Sequence, residues 1–330
     1  MDKIDTQGMY KIYDSWPEIA RKSFESHHEP VDFDNIDHIV FAGMGGSGAI
    51  GDMFSSVLSK TKIHVNVVKG YLLPTTVDSN SLVIAVSVSG NTAETLTVLD
   101  SAFKLKSKVI AFSSGGKMLE YCKKNNIEHR LVTKYHSPRA SFTSYLYTML
   151  KVVHSKLEIK QEDILESITE LEKIGKKISS TNLTENNPAI NIAKEITGIP
   201  MIYYPFGLQS AAVRFKNVLQ ENAKIHATAE DVLEACHNGI VSWEKESNVK
   251  PFLIQGKDDH PKTKERWNII KEYFNQNKII YSEITSVEGS ILSKLINLVY
   301  ILDYCSIYKA ILTGTDPTPV KSIDFIKKRL

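Results

Sequence analysis

At 330 residues the chain has material for about two ordinary domains, and its 42% apolar and 24% charged residues are the balance of a soluble globular protein. A formal net charge of +2 supplies no field to gather nucleic acid, and no stretch interleaves basic with aromatic residues. The opening MDKIDTQGMYKIYDSW has no apolar core for a signal peptide, no apolar run is expected to reach the roughly 18 residues of a membrane span, and Cys122, Cys236 and Cys305 form neither a disulfide framework nor a zinc motif, so a reduced, cytoplasmic protein is expected.

In chain order, IDHIVFAG (36–43) is an apolar run ending in glycine, and AIGDMFSSVLSK after it has a helical period. IHVNVVKG (63–70), SLVIAVSVS (81–89), KVIAFSS (108–114) and IEHRLVTK (127–134) read as further strands, with helices from about Thr92 and over KMLEYCKKN between them. Continuous β-branched runs separated by helical periods predict a mainly parallel sheet covered on both faces. From about Arg139 the pattern turns helical; Ile164, Ile168, Leu171 and Ile178 mark one face of a long helix. After the polar loop TNLTENNP (181–188) the alternation restarts: strand MIYYPFG, helix QSAAVRFKNVLQENAK, strand PFLIQG, a helix around WNIIKEYFNQ, strand KIIYSEI and helix ILSKLINLVYILDYC. Two α/β halves follow, with a boundary expected at 153/154.

SVSGNTAET (87–95) places Ser87, Ser89 and Thr92 where a buried strand hands over to a helix. Ligands of open parallel sheets bind beyond the strands' carboxyl ends. The helix that follows offers unpaired N–H groups and the positive end of its dipole. Asn91 with Glu94 three residues on resembles a capping box, and Gly90 lets the backbone turn closely around a ligand. One hydroxyl would suffice to cap a helix; three predict a phosphate cradle. GMGGSG (43–48) satisfies G-x-G-x-x-G after the first strand, a dinucleotide signature that needs an acidic residue about 20 positions on. The second strand ends instead in Val67-Val68-Lys69-Gly70, where a lysine would suit a phosphorylated ribose. An NAD(P)-dependent oxidoreductase therefore stays as an outside reading. The better one is that Gly46 and Ser47 share a sugar phosphate with the SVSGNT loop.

Together the two loops resemble the sugar isomerase (SIS) domain, a flavodoxin-like fold. The series GMGGSG, SVSGNTAET, SPRA (137–140), RFKNVLQENAK (214–224), EACHN (234–238) and the tail DPTPV…IDFIKKRL resembles the bifunctional phosphoglucose/phosphomannose isomerase family over residues 43 to 330. SVSGNT specifies only the superfamily, whereas the ENAK and EACHN pair is more specific. The resemblance implies two SIS domains and a homodimer. It also implies an enzyme without metal or cofactor that interconverts glucose 6-phosphate, mannose 6-phosphate and fructose 6-phosphate through a cis-enediol.

By the same resemblance Glu221 is the base that moves a proton between C1 and C2, work one carboxylate can do. His237 opens the sugar ring, near neutrality the natural task of an imidazole, and reaches the neighbouring subunit's site. Arg139, after Pro138, stabilises the enediolate with a charge that does not titrate. A tail lysine completes the set, Lys327 with Lys321 as rival. From the bare sequence Glu221 would be an ordinary helix glutamate, Arg139 a surface arginine and the tail lysines a dipole-complementing terminus. A non-catalytic phosphosugar-binding SIS protein is the alternative. Regulators of that type carry a helix-turn-helix module, and only about 35 residues precede the first strand here. A sugar amidotransferase would need a glutaminase domain.

Overall fold

The β-branched runs become two all-parallel sheets in the computed structural model, which describes residues 1–329. Strands β1 (His38–Ala42), β2 (His64–Val68), β3 (Ser81–Ser87), β4 (Lys108–Ser113) and β5 (Glu128–Leu131) form the first, in the order β2-β1-β3-β4-β5. Every residue of β1 and β3 is buried, as helices on both faces of a parallel sheet demand, while the edge strands β2 and β5 are partly open. Val83, Ala85, Val98, Leu99, Ala111 and Met118 lie in one core between this sheet and its helices. The second sheet comprises β6 (Ile199–Tyr204), β7 (Thr228–Asp231), β8 (Val249–Gln255) and β9 (Ser282–Thr285), ordered β7-β6-β8-β9. Its core gathers Tyr203, Leu253, Trp267 and Phe274. Both orders are doubly wound, as expected from the strand–helix alternation.

Two compact units divide the chain. One comprises Ser15–Glu172 with Ser290–Ser293; the other comprises Met1–Asp14, Lys173–Gly289 and the chain from Lys294 on. Three expectations need correction. Asn91 does not cap the helix Ala93–Lys104; Thr92 occupies that position and makes no side-chain cap. The segment 209–224 is not one α-helix: α-helix Gln209–Val218 passes into a π-turn, Leu219–Ala223, closed by Lys224 in the left-handed region at φ 58°. Lastly, the helix Ile291–Leu312 is long and apolar enough to cross a membrane by length and composition, although charged and amide residues interrupt its apolar runs. Buried residues make up 83% of its most apolar window, the pattern of a core helix.

Candidate active site

In the first sheet the topology reverses between β1 and β3, its neighbours β2 and β4 lying to either side. Ligands bind at such a switch point, beyond the strands' carboxyl ends. GMGGSG leaves β1 there and SVSGNT leaves β3. Helices Gly45–Leu58 and Ala93–Lys104 start from these two loops, and neither start has a side-chain cap. Their first backbone N–H groups and dipole ends are thus left for a ligand of negative charge.

The loops are bonded to each other and within themselves. Val88 N–H donates to Ser47 Oγ (3.4 Å), which ties the first loop to the second. Ser87 Oγ lies 2.9 Å from Thr92 Oγ1 and receives Gly90 N–H at 3.1 Å. Thr92 therefore turns its hydroxyl across the loop instead of onto its own helix. Asn91 N–H donates to Ser89 Oγ at 3.2 Å, and Ser89 is exposed at the mouth. The Asn91 side chain is engaged elsewhere, its Oδ1 receiving Lys117 N–H at 3.0 Å.

The SPRA loop closes a third side. A Cβ on Gly46 would stand 3.1 Å from Pro138 O and 3.4 Å from Arg139 Cα, so a side chain there would push the two loops apart by a few tenths of an ångström. Ser141 Oγ donates to Ser137 O and Tyr135 O, both at 2.9 Å, and Trp16 Nε1–H donates to Ala140 O at 2.9 Å. These bonds fix the loop around Arg139, which is only 4% exposed. The first sheet thus brings together Gly46, Ser47, Ser87, Ser89, Thr92, Pro138 and Arg139.

A fourth loop, Ser114-Gly115-Gly116 after β4, went unrecognised in the sequence. Its signal was present: a Ser-Ser-Gly-Gly run at the end of a buried strand. Ser114 Oγ donates to Val88 O at 2.7 Å. Ser113 Oγ donates to Gly115 O and lies 2.8 Å from His129 Nε2. Burial pushes the His129 imidazole down to about 4, and the charges of Arg130 and Lys123 add to the fall. Folding therefore favours the neutral ring, so the stability it contributes is full above the ordinary value of 6.5 and is lost as pH falls from there toward 4. Melting temperature should drop more steeply between pH 6.5 and 4.5 in the wild type than in His129→Gln. Parallel curves for the two proteins would contradict this.

The remaining candidates lie in the other unit. Glu221 sits half-buried in the π-turn, a helix defect often found at functional positions. Lys224 Nζ donates to Glu221 O and, at 3.1 Å, to Pro317 O of the DPTPV tail. His237 follows the short helix Val232–Ala235 and is exposed; with Leu233, His260, Lys262, Thr263 and Arg266 it lines a cavity of about 370 Å³ that Glu221 does not line. Lys321 and Lys327 stand at the two ends of the helix Lys321–Lys327, both exposed. Lys69, the candidate for a phosphorylated ribose, is paired with Asp52 at 2.5 Å. Among the described residues no group of three or more His, Cys, Asp or Glu side chains is disposed to hold a metal ion.

Family models match the chain twice: a SIS domain over residues 32–156, and a bacterial phospho-glucose isomerase C-terminal SIS domain over residues 185–330. The chain is 32% identical to a bifunctional phosphoglucose/phosphomannose isomerase of Caldicellulosiruptor bescii, with 98% of each chain covered. It is 31% identical to the Aquifex aeolicus protein of the same name, covering 98% of this chain and 96% of that one. Of solved structures, the C-terminal domain of glucosamine-fructose-6-phosphate aminotransferase from Francisella tularensis superposes with a TM-score of 0.68 at 17% identity. That match covers 93% of this chain and 96% of the other, and it is a likeness of fold.

Proposed function

The chain belongs to the bifunctional phosphoglucose/phosphomannose isomerase family and is an isomerase, and we propose that it interconverts glucose 6-phosphate and mannose 6-phosphate with fructose 6-phosphate. The observation that carries the substrate class is the pair of uncapped helix starts flanked by Ser47, Ser87, Ser89 and Thr92 at the β1/β3 switch point. A phosphate there receives backbone N–H groups from both helices and hydroxyls from the SVSGNT loop, without any cation needed to hold it.

In this reading Glu221 takes the proton from one of C1 and C2 and returns it to the other through a cis-enediol. Arg139, held in a rigid loop beside Gly46, stabilises the negative charge on the enediolate oxygens. His237 exchanges a proton with the ring oxygen and the C1 hydroxyl to open the ring. Its exposure, and a cavity Glu221 does not line, support its serving the site of a neighbouring subunit in a homodimer. Lys327 completes the site from the tail, and the Lys224–Pro317 bond supports a tail anchored to the Glu221 turn. Rotation of the enediol about C2–C3 would let one base reach either face of C2, and so serve both sugars. A boundary between two SIS domains at 153/154 belongs to the same proposal, with the SIS match ending at residue 156 in its support. So does a cytoplasmic location.

A coupled assay starting from fructose 6-phosphate, reading glucose 6-phosphate and mannose 6-phosphate separately, tests the function. Both products should form, and exhaustive chelation with EDTA should leave both rates unchanged. Loss of mannose 6-phosphate formation on chelation, restored by zinc, would refute the metal-free reaction; absence of both products would refute the activity. Ser89→Ala should weaken substrate and inorganic phosphate together by roughly 1–3 kcal/mol, the range for a donor to a charged group. An unchanged Michaelis constant in that variant would remove Ser89 from the phosphate site.

A further inference from the structure

We propose that the buried Arg214–Asp303 ion pair and the neighbouring Asn222–Ser306 hydrogen bond act as positioning residues that hold the Glu221 carboxylate in place for proton transfer. The inference rests on the reading of Glu221 as the base.

Helix Gln209–Val218 runs straight into the π-turn that carries Glu221. Arg214, seven residues before Glu221, grips Asp303 with both arms: Nε donates to Oδ1 at 3.0 Å and Nη2 to Oδ2 at 2.6 Å. The pair is enclosed, at 3% and 0% side-chain exposure, and Tyr13 Oη adds a donor to Asp303 at 3.2 Å. Asn222, immediately after Glu221, donates through Nδ2 to Ser306 Oγ at 2.8 Å, and both residues are buried. Ser306 Oγ in turn donates to Asp303 O at 2.6 Å. Both ties end on the helix Ile291–Leu312, three residues apart and so on one face of it. Glu221 is therefore bracketed in sequence by two buried polar anchors on one partner helix, and Lys224 closes the turn on its other side.

Stability alone accounts poorly for this arrangement. Replacing a buried ion pair by apolar residues of similar volume is often neutral or stabilising, because desolvating two charges offsets their attraction. A bidentate fork instead fixes rotation and register between two helices. A π-turn has one residue more than an α-turn of the same span and needs such restraint to keep one conformation. The Glu221 carboxylate is also close enough to be felt at the pair: burial raises the Asp303 carboxyl above its ordinary value, Arg214 and Tyr13 oppose the rise, and Glu221 adds to it.

The test compares the double variant Arg214→Met/Asp303→Leu with Ser306→Ala and Ser306→Thr, using steady-state kinetics on fructose 6-phosphate, inhibition by inorganic phosphate, and melting temperature. The double variant should melt within a few degrees of the wild type and keep the Michaelis constant and the phosphate inhibition constant. Its kcat should fall at least tenfold. Ser306→Ala should lose kcat several-fold, and Ser306→Thr, which keeps the hydroxyl, should recover most of it. A folded double variant with wild-type kcat overturns the proposal. If the double variant does not fold, the serine pair decides, and equal kcat in Ser306→Ala and wild type overturns it. A loss shared by kcat, Michaelis constant and phosphate inhibition also overturns it, because that is general disruption. Glu221→Gln run in parallel separates the two readings. If Glu221→Gln is fully active, the base reading fails and takes this inference with it; if it is inactive beside a fully active double variant, this inference alone fails.

Discussion

Glu221→Gln should lower turnover of glucose 6-phosphate and mannose 6-phosphate together, by about 10²–10⁴-fold, the usual contribution of a positioned general base. The substitution keeps the size and reach of the side chain and removes its charge and basicity. The π-turn should survive it, because the turn's ties run through Asn222, Lys224 and the backbone of residue 221. Inorganic phosphate should inhibit with nearly unchanged affinity, since the proposed cradle is built by loops of the first sheet, between residues 43 and 116. Exchange of solvent deuterium into the sugar should vanish in parallel with turnover, because both require the same proton abstraction. A variant that lost glucose 6-phosphate turnover and kept mannose 6-phosphate turnover would require two bases and end the single-base mechanism.

The second large effect is expected at Gly90→Ala, in the proposed phosphate cradle. Gly90 has φ +69°, where an L side chain is strained, and a Cβ there would sit 1.8 Å from Gly115 O. Backbone atoms cannot rotate away as a side chain does, so the Ser114-Gly115-Gly116 loop must move. Gly90 N–H would be drawn off Ser87 Oγ in the process, and the Ser87–Thr92 arrangement disturbed with it. Strain and overpacking together should cost about 2–4 kcal/mol of stability, read from urea unfolding. The phosphate inhibition constant should rise at least tenfold, about 1.4 kcal/mol. Wild-type stability together with wild-type phosphate inhibition would show that the close approach of the two loops is dispensable.

Much of this architecture follows from periodicity. β1 and β3 were legible because strands covered on both faces must be apolar throughout, and HIVFA and SLVIAVS are nearly so. The hydroxyl cluster was legible because it falls between a strand signal and a helix signal. β7 was not, since Thr228–Asp231 is four residues with polar ends and becomes a strand only by pairing with the edge of β6. In the helix Ile291–Leu312 apolar side chains surround the axis, so no period could distinguish a core helix from a membrane span.

The amino-acid sequence by itself determined the alternation of strands and helices, the parallel class of both sheets, and which loops carry glycine, hydroxyl and arginine chemistry. Those depend on local pattern and on residue type, which any short window contains. Only the tertiary structure decided how three of those loops behave. Asn91 and Glu94 have capping-box spacing, but the Lys117 N–H, 26 residues on, claims Asn91 Oδ1, and Thr92 takes the N-cap position without a side-chain cap, its hydroxyl facing Ser87. Gly46 could have been any turn glycine until Pro138 and Arg139, some ninety residues away, came against it. The helix bearing Glu221 reads as a plain α-helix, yet it ends in a π-turn anchored by Asn222 to Ser306 and by Lys224 to Pro317. In each case a partner distant in the chain outbids a local preference worth only about 1 kcal/mol, and no local window contains that partner.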